Sequence, residues 1–141
     1  MIEEFEIVSE TDEKYFSKLD LLYKEETKKL IGAFFEVHNE LGRGFLEIIY
    51  KDALEIEFQK RGIPYVREKK YEVFYKDIKL NHFYVADFVV NDKIIIEVKA
   101  QRYVIEENFD QSINYLATSK CRLGLLVNFG EPSLKFKRLV L

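Results

Sequence analysis

The spacing of apolar positions changes several times along the chain, and each change marks an element. From about residue 20 to residue 40, Leu22, Ile31, Phe34, Phe35 and His38 fall on one face of a helical repeat. Lys24, Glu25, Lys28 and Lys29 fall on the opposite face. This predicts a first helix, with His38 near its end as a capping or packing residue, closed by Gly42 and Gly44. The Gly-Arg-Gly spacing there is not a nucleotide loop: no strand precedes it and a third glycine is missing. A second helical pattern runs from about residue 45 to residue 60 and stops at Gly62 and Pro64. Its apolar arc holds Leu46, Ile49, Tyr50, Ala53, Leu54 and Phe58, and Glu47 falls between Leu54 and Phe58 on the helix wheel. An acid there lies at the rim of the core or aims into the interior. Glu57 also lies within the arc, so the position alone does not decide.

Strand-forming residues then take over. Residues 65–75 and 78–90 read as two strands joined at Lys76 and Asp77, the second bent near Asn81 and His82, with His82 at a surface or edge. A third strand starts near Ile94, after a turn at Asn91 and Asp92. A helix from about residue 105 to residue 119 carries a packing stripe of Phe109, Ile113, Leu116 and Ala117. Gln111 and Tyr115, four apart, are neighbours on one face of it. Residues 122–129 read as a buried strand, which favours a parallel crossover through this helix. Residues 134–141 form a last strand. The order helix, helix, three strands, helix, strand, strand predicts an α/β sandwich with helices on the faces of a mixed sheet.

The stretch FYVADFVVNDKIIIEVKA sets charges among valines and isoleucines: Asp87, Glu97 and Lys99. Glu97 and Lys99 share a strand face. A two-residue turn would pair Val90 with Lys93 and put Asp87 opposite Ile96. A three-residue turn, Asn91-Asp92-Lys93, pairs Val90 with Ile94 and puts Asp87 opposite Glu97. The second register is the one expected here. Two carboxylates about 4 Å apart repel by roughly 4 kcal/mol at an effective dielectric near 20. A divalent cation between them removes that cost, and oxygen donors favour magnesium or manganese. The competing reading is an internal ion-pair network with no metal.

Composition narrows the classes. With 141 residues, 48% of them apolar, the chain is long enough for one domain with a core. It reads as an extension over residues 1–20, with a short strand at FEIVS, and a single domain over residues 21–141. The extension would pack on the domain or on a second chain. No apolar run approaches the length of a membrane span, and the acidic N-terminus lacks a signal-peptide pattern. Cys121 is the lone cysteine, which excludes an internal disulfide, a cysteine zinc site and an iron–sulfur cluster within one chain. A cytoplasmic protein without membrane attachment is expected. The net charge of −3 argues mildly against tight nucleic-acid binding, although Arg67, Lys69 and Lys70, and Lys135, Lys137 and Arg138, form basic groups. Each group reads as a phosphate-facing patch or as a solvated strand edge.

The acidic hairpin followed by a helix and a strand resembles the PD-(D/E)xK nuclease superfamily, whose core order is α-β-β-β-α-β. The resemblance rests on Asp87 and on Glu97-Val98-Lys99, with Ala86 where the motif has proline. The run from Gly44 through Glu47 to Tyr50, within EVHNELGRGFLEIIY, resembles the GxxExxY family, as does NYLATSKCRLGLLVNF beyond the hairpin. That likeness covers roughly residue 29 to the end. Gln111 and Tyr115 resemble the Q-x-x-x-Y motif of RecB-like nucleases. The resemblance implies a restriction-endonuclease-like fold, a mixed sheet flanked by helices. It implies a metal-dependent nuclease cleaving DNA or RNA, with Mg2+ or Mn2+ held by Asp87, Glu97, the Val98 carbonyl and Glu47. Lys99 would act on the attacking water or the transition state. Gln111 would position water, ligand or phosphate, with Tyr115 beside it. The alternative is a nuclease-fold module that binds nucleic acid or a protein without hydrolysis. A homodimer would add surface for gripping a duplex.

Overall fold

A computed structural model describes residues 23–103 and 106–140, so the expected extension and its short strand lie outside the described residues. Among the described residues three helices and five strands follow in the expected order. Helix α1 is Lys24–Leu41, α2 is Glu47–Lys60 and α3 is Glu106–Ser119. The strands are β1 (Tyr65–Tyr75), β2 (Ile78–Val90), β3 (Ile94–Lys99), β4 (Leu123–Asn128) and β5 (Lys135–Val140). They form one sheet in the order β1-β2-β3-β4-β5. Neighbours are antiparallel except β3 and β4, which are parallel and joined through α3.

Local chemistry sets the boundaries. Gly42 closes α1 with a positive φ of 66°, its N–H donating to the His38 carbonyl at 2.8 Å. Gly62, at φ 65°, closes α2. There the Ile63 N–H donates to the Phe58 carbonyl at 2.9 Å and the Gly62 N–H to the Gln59 carbonyl at 3.2 Å, the paired bonds of a Schellman motif. Lys76 and Asp77 both take positive φ, which suits the tight hairpin between β1 and β2. Asn91 and Asp92 do likewise between β2 and β3, where short polar side chains tolerate the left-handed region.

Two apolar layers hold the sheet. Helices α1 and α2 cover one face through Leu30, Phe34, Tyr50, Leu54 and Phe58, packed on Phe88, Val90, Ile94, Ile96 and Val127. On the other face Leu116 of α3 packs with Tyr84, Ala86, Val89, Ile95 and Leu139. Ala117 is exposed, so the α3 stripe is narrower than its sequence suggests, and the Phe109 and Ile113 side chains lie outside the described set. The α2 arc is also narrower. Leu46, the N-cap residue, is 75% exposed and Ile49 39%. His38 is a packing residue, with Nε2 3.0 Å from the Glu131 carbonyl. Arg138 is fully buried, so it does not join Lys135 and Lys137 in a surface patch on edge strand β5.

Candidate functional site

Only three pairs tie β2 to β3: Val90 with Ile94, Val89 with Ile95 and Phe88 with Ile96. This is the register of a three-residue turn, and one further step sets Asp87 opposite Glu97. The ladder stops there. The Asp87 carboxylate takes over the next bond, Oδ2 accepting from the Val98 N–H at 2.7 Å. Beyond that point β2 pairs with β1 alone, as far as Tyr75 and Ile78. The two strands leave β3 as a ribbon exposing Phe74, Tyr75, Ile78, Leu80 and Phe83. Three β2 residues, 80–82, lie opposite the single Val73 of β1, so the irregularity falls at the expected bend.

The side-chain alternation slips at Asp87, where the ladder to β3 ends. Phe88 packs beneath α2, whereas Ala86 and Tyr84, of the same parity, pack on the α3 side. On β1, Glu68 sits at the matching position with φ 55°, a backbone region that costs a residue with a Cβ about 1–2 kcal/mol. The slip turns Asp87 toward α2. There Lys51 bridges Asp87 Oδ1 at 3.0 Å and Glu68 Oε1 at 2.9 Å. Burial pulls the Lys51 ammonium down, but its bonds to Glu68 and Asp87 outweigh this and leave it above the ordinary lysine range.

Glu97 meets Asp87 across the fork and Tyr84 beside it. The Tyr84 hydroxyl donates a hydrogen bond to Glu97 Oε1, and the Tyr84 ring stacks on Tyr115 of α3 with centroids 3.8 Å apart. Burial and then the Asp87 charge push the Glu97 carboxyl up to about 8, against the opposing pull of the Tyr84 bond and of Lys99. The Tyr84 hydroxyl is likewise pushed up, by burial and by Glu97. The fork thus brings Asp87, Glu97 and Lys99 together and seats Tyr115 behind Tyr84. Gln111 is exposed, one turn before Tyr115.

Glu47 is exposed in the first turn of α2, one turn before Lys51 on the same helix face. Among the described residues no group of three or more His, Cys, Asp or Glu side chains converges to hold a metal, so Glu47 does not close on the carboxylate pair. The donor set still suits a hard divalent ion. Such an ion takes one or two carboxylates and fills its remaining positions with water and phosphate oxygens. Burial first and the Asp87 charge second raise the Glu97 carboxyl, and an ion between the two acids would offset the like-charge part.

Sequence reasoning passed over Lys51 and Asn128, which shape this site, and gave Tyr50 no role beyond its helix face and motif. Lys51 lies about 20° from Phe58 on the helix wheel, so the arc that singled out Glu47 also contained it. Asn128, fully buried, fastens the loop after β3. Its Oδ1 accepts from the Gln101 N–H at 3.0 Å and its Nδ2 donates to the Gln101 carbonyl at 2.9 Å and to Glu131 Oε2 at 2.8 Å. A polar residue closing an apolar strand was the available signal. Tyr50 ties the loop before α2, its hydroxyl donating to the Gly42 carbonyl at 2.6 Å and accepting from the Phe45 N–H at 3.2 Å.

A family model described as the PD-(D/E)XK nuclease superfamily matches residues 24–139, which takes in every element above but the last residue of β5. The match supports a nuclease-type function in general terms. No curated protein and no solved structure matches the chain significantly. No described helix is long and apolar enough to cross a membrane. The five-stranded mixed sheet with helices on both faces agrees with the family model, and the chain belongs to the PD-(D/E)XK nuclease superfamily.

Proposed function

We propose that the chain is a divalent-metal-dependent phosphodiesterase acting on DNA or RNA. The observation that carries this reading is the fork itself: two strands diverge where Asp87 and Glu97 oppose each other, with Lys99 two residues on. Asp87, Glu97 and the Val98 carbonyl would hold Mg2+ or Mn2+. In an extended strand the N–H and C=O of one residue lie along the same edge, and the Val98 N–H already meets Asp87. When bound, the ion supplies charge neutralisation at the phosphate and an activated water. Lys99 would orient that water or meet charge developing on the phosphate. Glu47 would add an outer carboxylate, and Gln111 would position water or phosphate from the α3 side. Tyr115 braces Tyr84, which fixes the Glu97 carboxylate. The narrower likeness to the GxxExxY family belongs to the same reading.

A second reading is a binding module that keeps the fold without hydrolysis. It is favoured by the hydrogen bonds already made: both Asp87 oxygens and Glu97 Oε1 have protein partners. Calorimetric titration of Mg2+ and Mn2+ into the wild type and Glu97→Ala, followed by plasmid and single-strand cleavage assays, separates the two. The nuclease reading expects binding lost in Glu97→Ala and cleavage lost in both Glu97→Ala and Lys99→Ala. Binding without cleavage of any substrate would favour the module. No binding at millimolar ion, with Glu97→Ala merely changed in stability, would refute the metal site.

A further inference from the structure

We propose that Lys51 is a resident counter-ion whose ammonium holds the place beside Asp87 that a divalent ion takes on loading, with Glu68 as the berth to which it withdraws. This rests on the metal-dependent reading above. Asp87 has one oxygen fixed by the Val98 N–H and the other by Lys51 Nζ. The carboxylate cannot turn away without giving up a backbone bond, so a cation arriving at Asp87 meets Lys51 at Oδ1.

The surroundings suit a displaceable ammonium rather than a fixed bridge. The Lys51 side chain is 10% exposed, while its second partner Glu68 is 52% exposed. Withdrawal toward Glu68 therefore moves the charge toward water and keeps one bond. A four-carbon stem with three rotatable donors makes that shift without backbone movement. Glu68 stands over Lys51 only because its backbone takes the left-handed region at φ 55°. Arg67, one residue earlier, is a fixed cation by comparison, held by Asp52 at 2.8 Å and Glu55 at 3.3 Å and touching neither Asp87 nor Glu97 in these bonds.

The test is calorimetric titration of Mn2+ into the metal-free full chain and three variants, with thermal unfolding as a second readout. Lys51→Met should tighten Mn2+ binding by about tenfold or more, because a unit charge in contact with the ligand is removed. Glu68→Gln should weaken it by about threefold, because Lys51 then has no other berth. Arg67→Met, which removes an equal charge held elsewhere, should change it much less. Metal-free Lys51→Met should melt below the wild type, and saturating Mn2+ should close the gap. Unchanged affinity in Lys51→Met, or tightening matched by Arg67→Met, overturns the proposal, since long-range charge would then suffice. Should Lys51→Met fail to fold without ion, Glu68→Gln decides, and unchanged affinity there overturns it. Mn2+ binding by the wild type with flat responses overturns this inference alone. No binding by any form removes the metal reading and this inference together.

Discussion

Glu97 offers a test that needs neither substrate nor ion. In the folded chain its carboxyl is raised from an ordinary 4.5 to about 8 by burial and by Asp87. The folded state therefore keeps a proton that the unfolded chain releases near 4.5. The associated stability is full below 4.5 and is lost as pH rises through 8. A shift of this size corresponds to about 3–5 kcal/mol. In a domain this long each kcal/mol moves Tm by about 3 °C, so metal-free protein should melt about 10–15 °C lower at pH 8.5 than at pH 5. The other resolved shifts leave this window clear. Glu68 and Glu72 are lowered and act below it, while Lys51, Arg67 and the raised tyrosines act above it. Scanning calorimetry in chelator across pH 5–8.5, on wild type and Glu97→Gln, measures the slope. The variant, which has no carboxyl to titrate, should be nearly flat. Saturating Mg2+ or Mn2+ should restore much of the wild-type stability at high pH. A flat wild-type profile, or a variant with the wild-type slope, would refute the opposed carboxylate pair.

Two further substitutions test the supports of the site. At Gly130 a methyl group would overlap the Gln101 backbone, so Gly130→Ala should cost about 2–4 kcal/mol in urea unfolding; a cost under about 0.5 kcal/mol would show that the loop after β3 is not held against β4 as described. Tyr50→Phe removes the hydroxyl shared by Gly42 and Phe45 but keeps the ring stacked 4.7 Å from Phe129, so it should cost about 1–2 kcal/mol. Retention of full stability would show that this hydroxyl does not secure the entry to α2.

The register at the fork was legible because strand parity leaves few choices. A two-residue turn would have paired Asp87 with Ile96, and consecutive positive φ at Asn91 and Asp92 with Lys93 completing the turn delivers the other register. Helix ends were legible for the same local reason, since Gly42 and Gly62 take the left-handed conformations their positions require. Glu47 and Lys51 show where this logic stops. Both fall on the buried arc of α2, yet Glu47 is exposed and Lys51 is not. A helix wheel gives direction around the axis but not whether a strand lies beneath that turn. The partners of Lys51 are set by the backbone slip at Glu68 and Asp87, and no residue type announces it: glutamate is an unfavourable choice for the left-handed region. In the same way nothing in the sequence sets Tyr84 apart from the other strand aromatics, and it is the diverging ladder that brings its hydroxyl to Glu97.

Charge counting at the fork connects these details to the choice between nuclease and binder. Asp87, Glu97 and Glu68 face Lys51 and Lys99, so the fork carries one net negative charge when every group is ionised. The raised Glu97 carboxyl removes that charge by holding a proton near neutral pH. A fork neutralised in this way has little attraction for a phosphate, and one stripped of its proton repels it. A domain built only to bind nucleic acid would gain from replacing either acid with an amide, which keeps the hydrogen bonds to Val98 and Tyr84 and discards the repulsion. An opposed pair with a lysine and a proton standing in for a counter-ion makes physical sense where a divalent ion arrives. On that proposal a bound ion would take the place of the proton and of the Lys51 contact and would turn the net charge positive, so that phosphate would approach only a loaded site. On this reading the order of events, ion first and nucleic acid second, is written into the same carboxylates that would carry the chemistry.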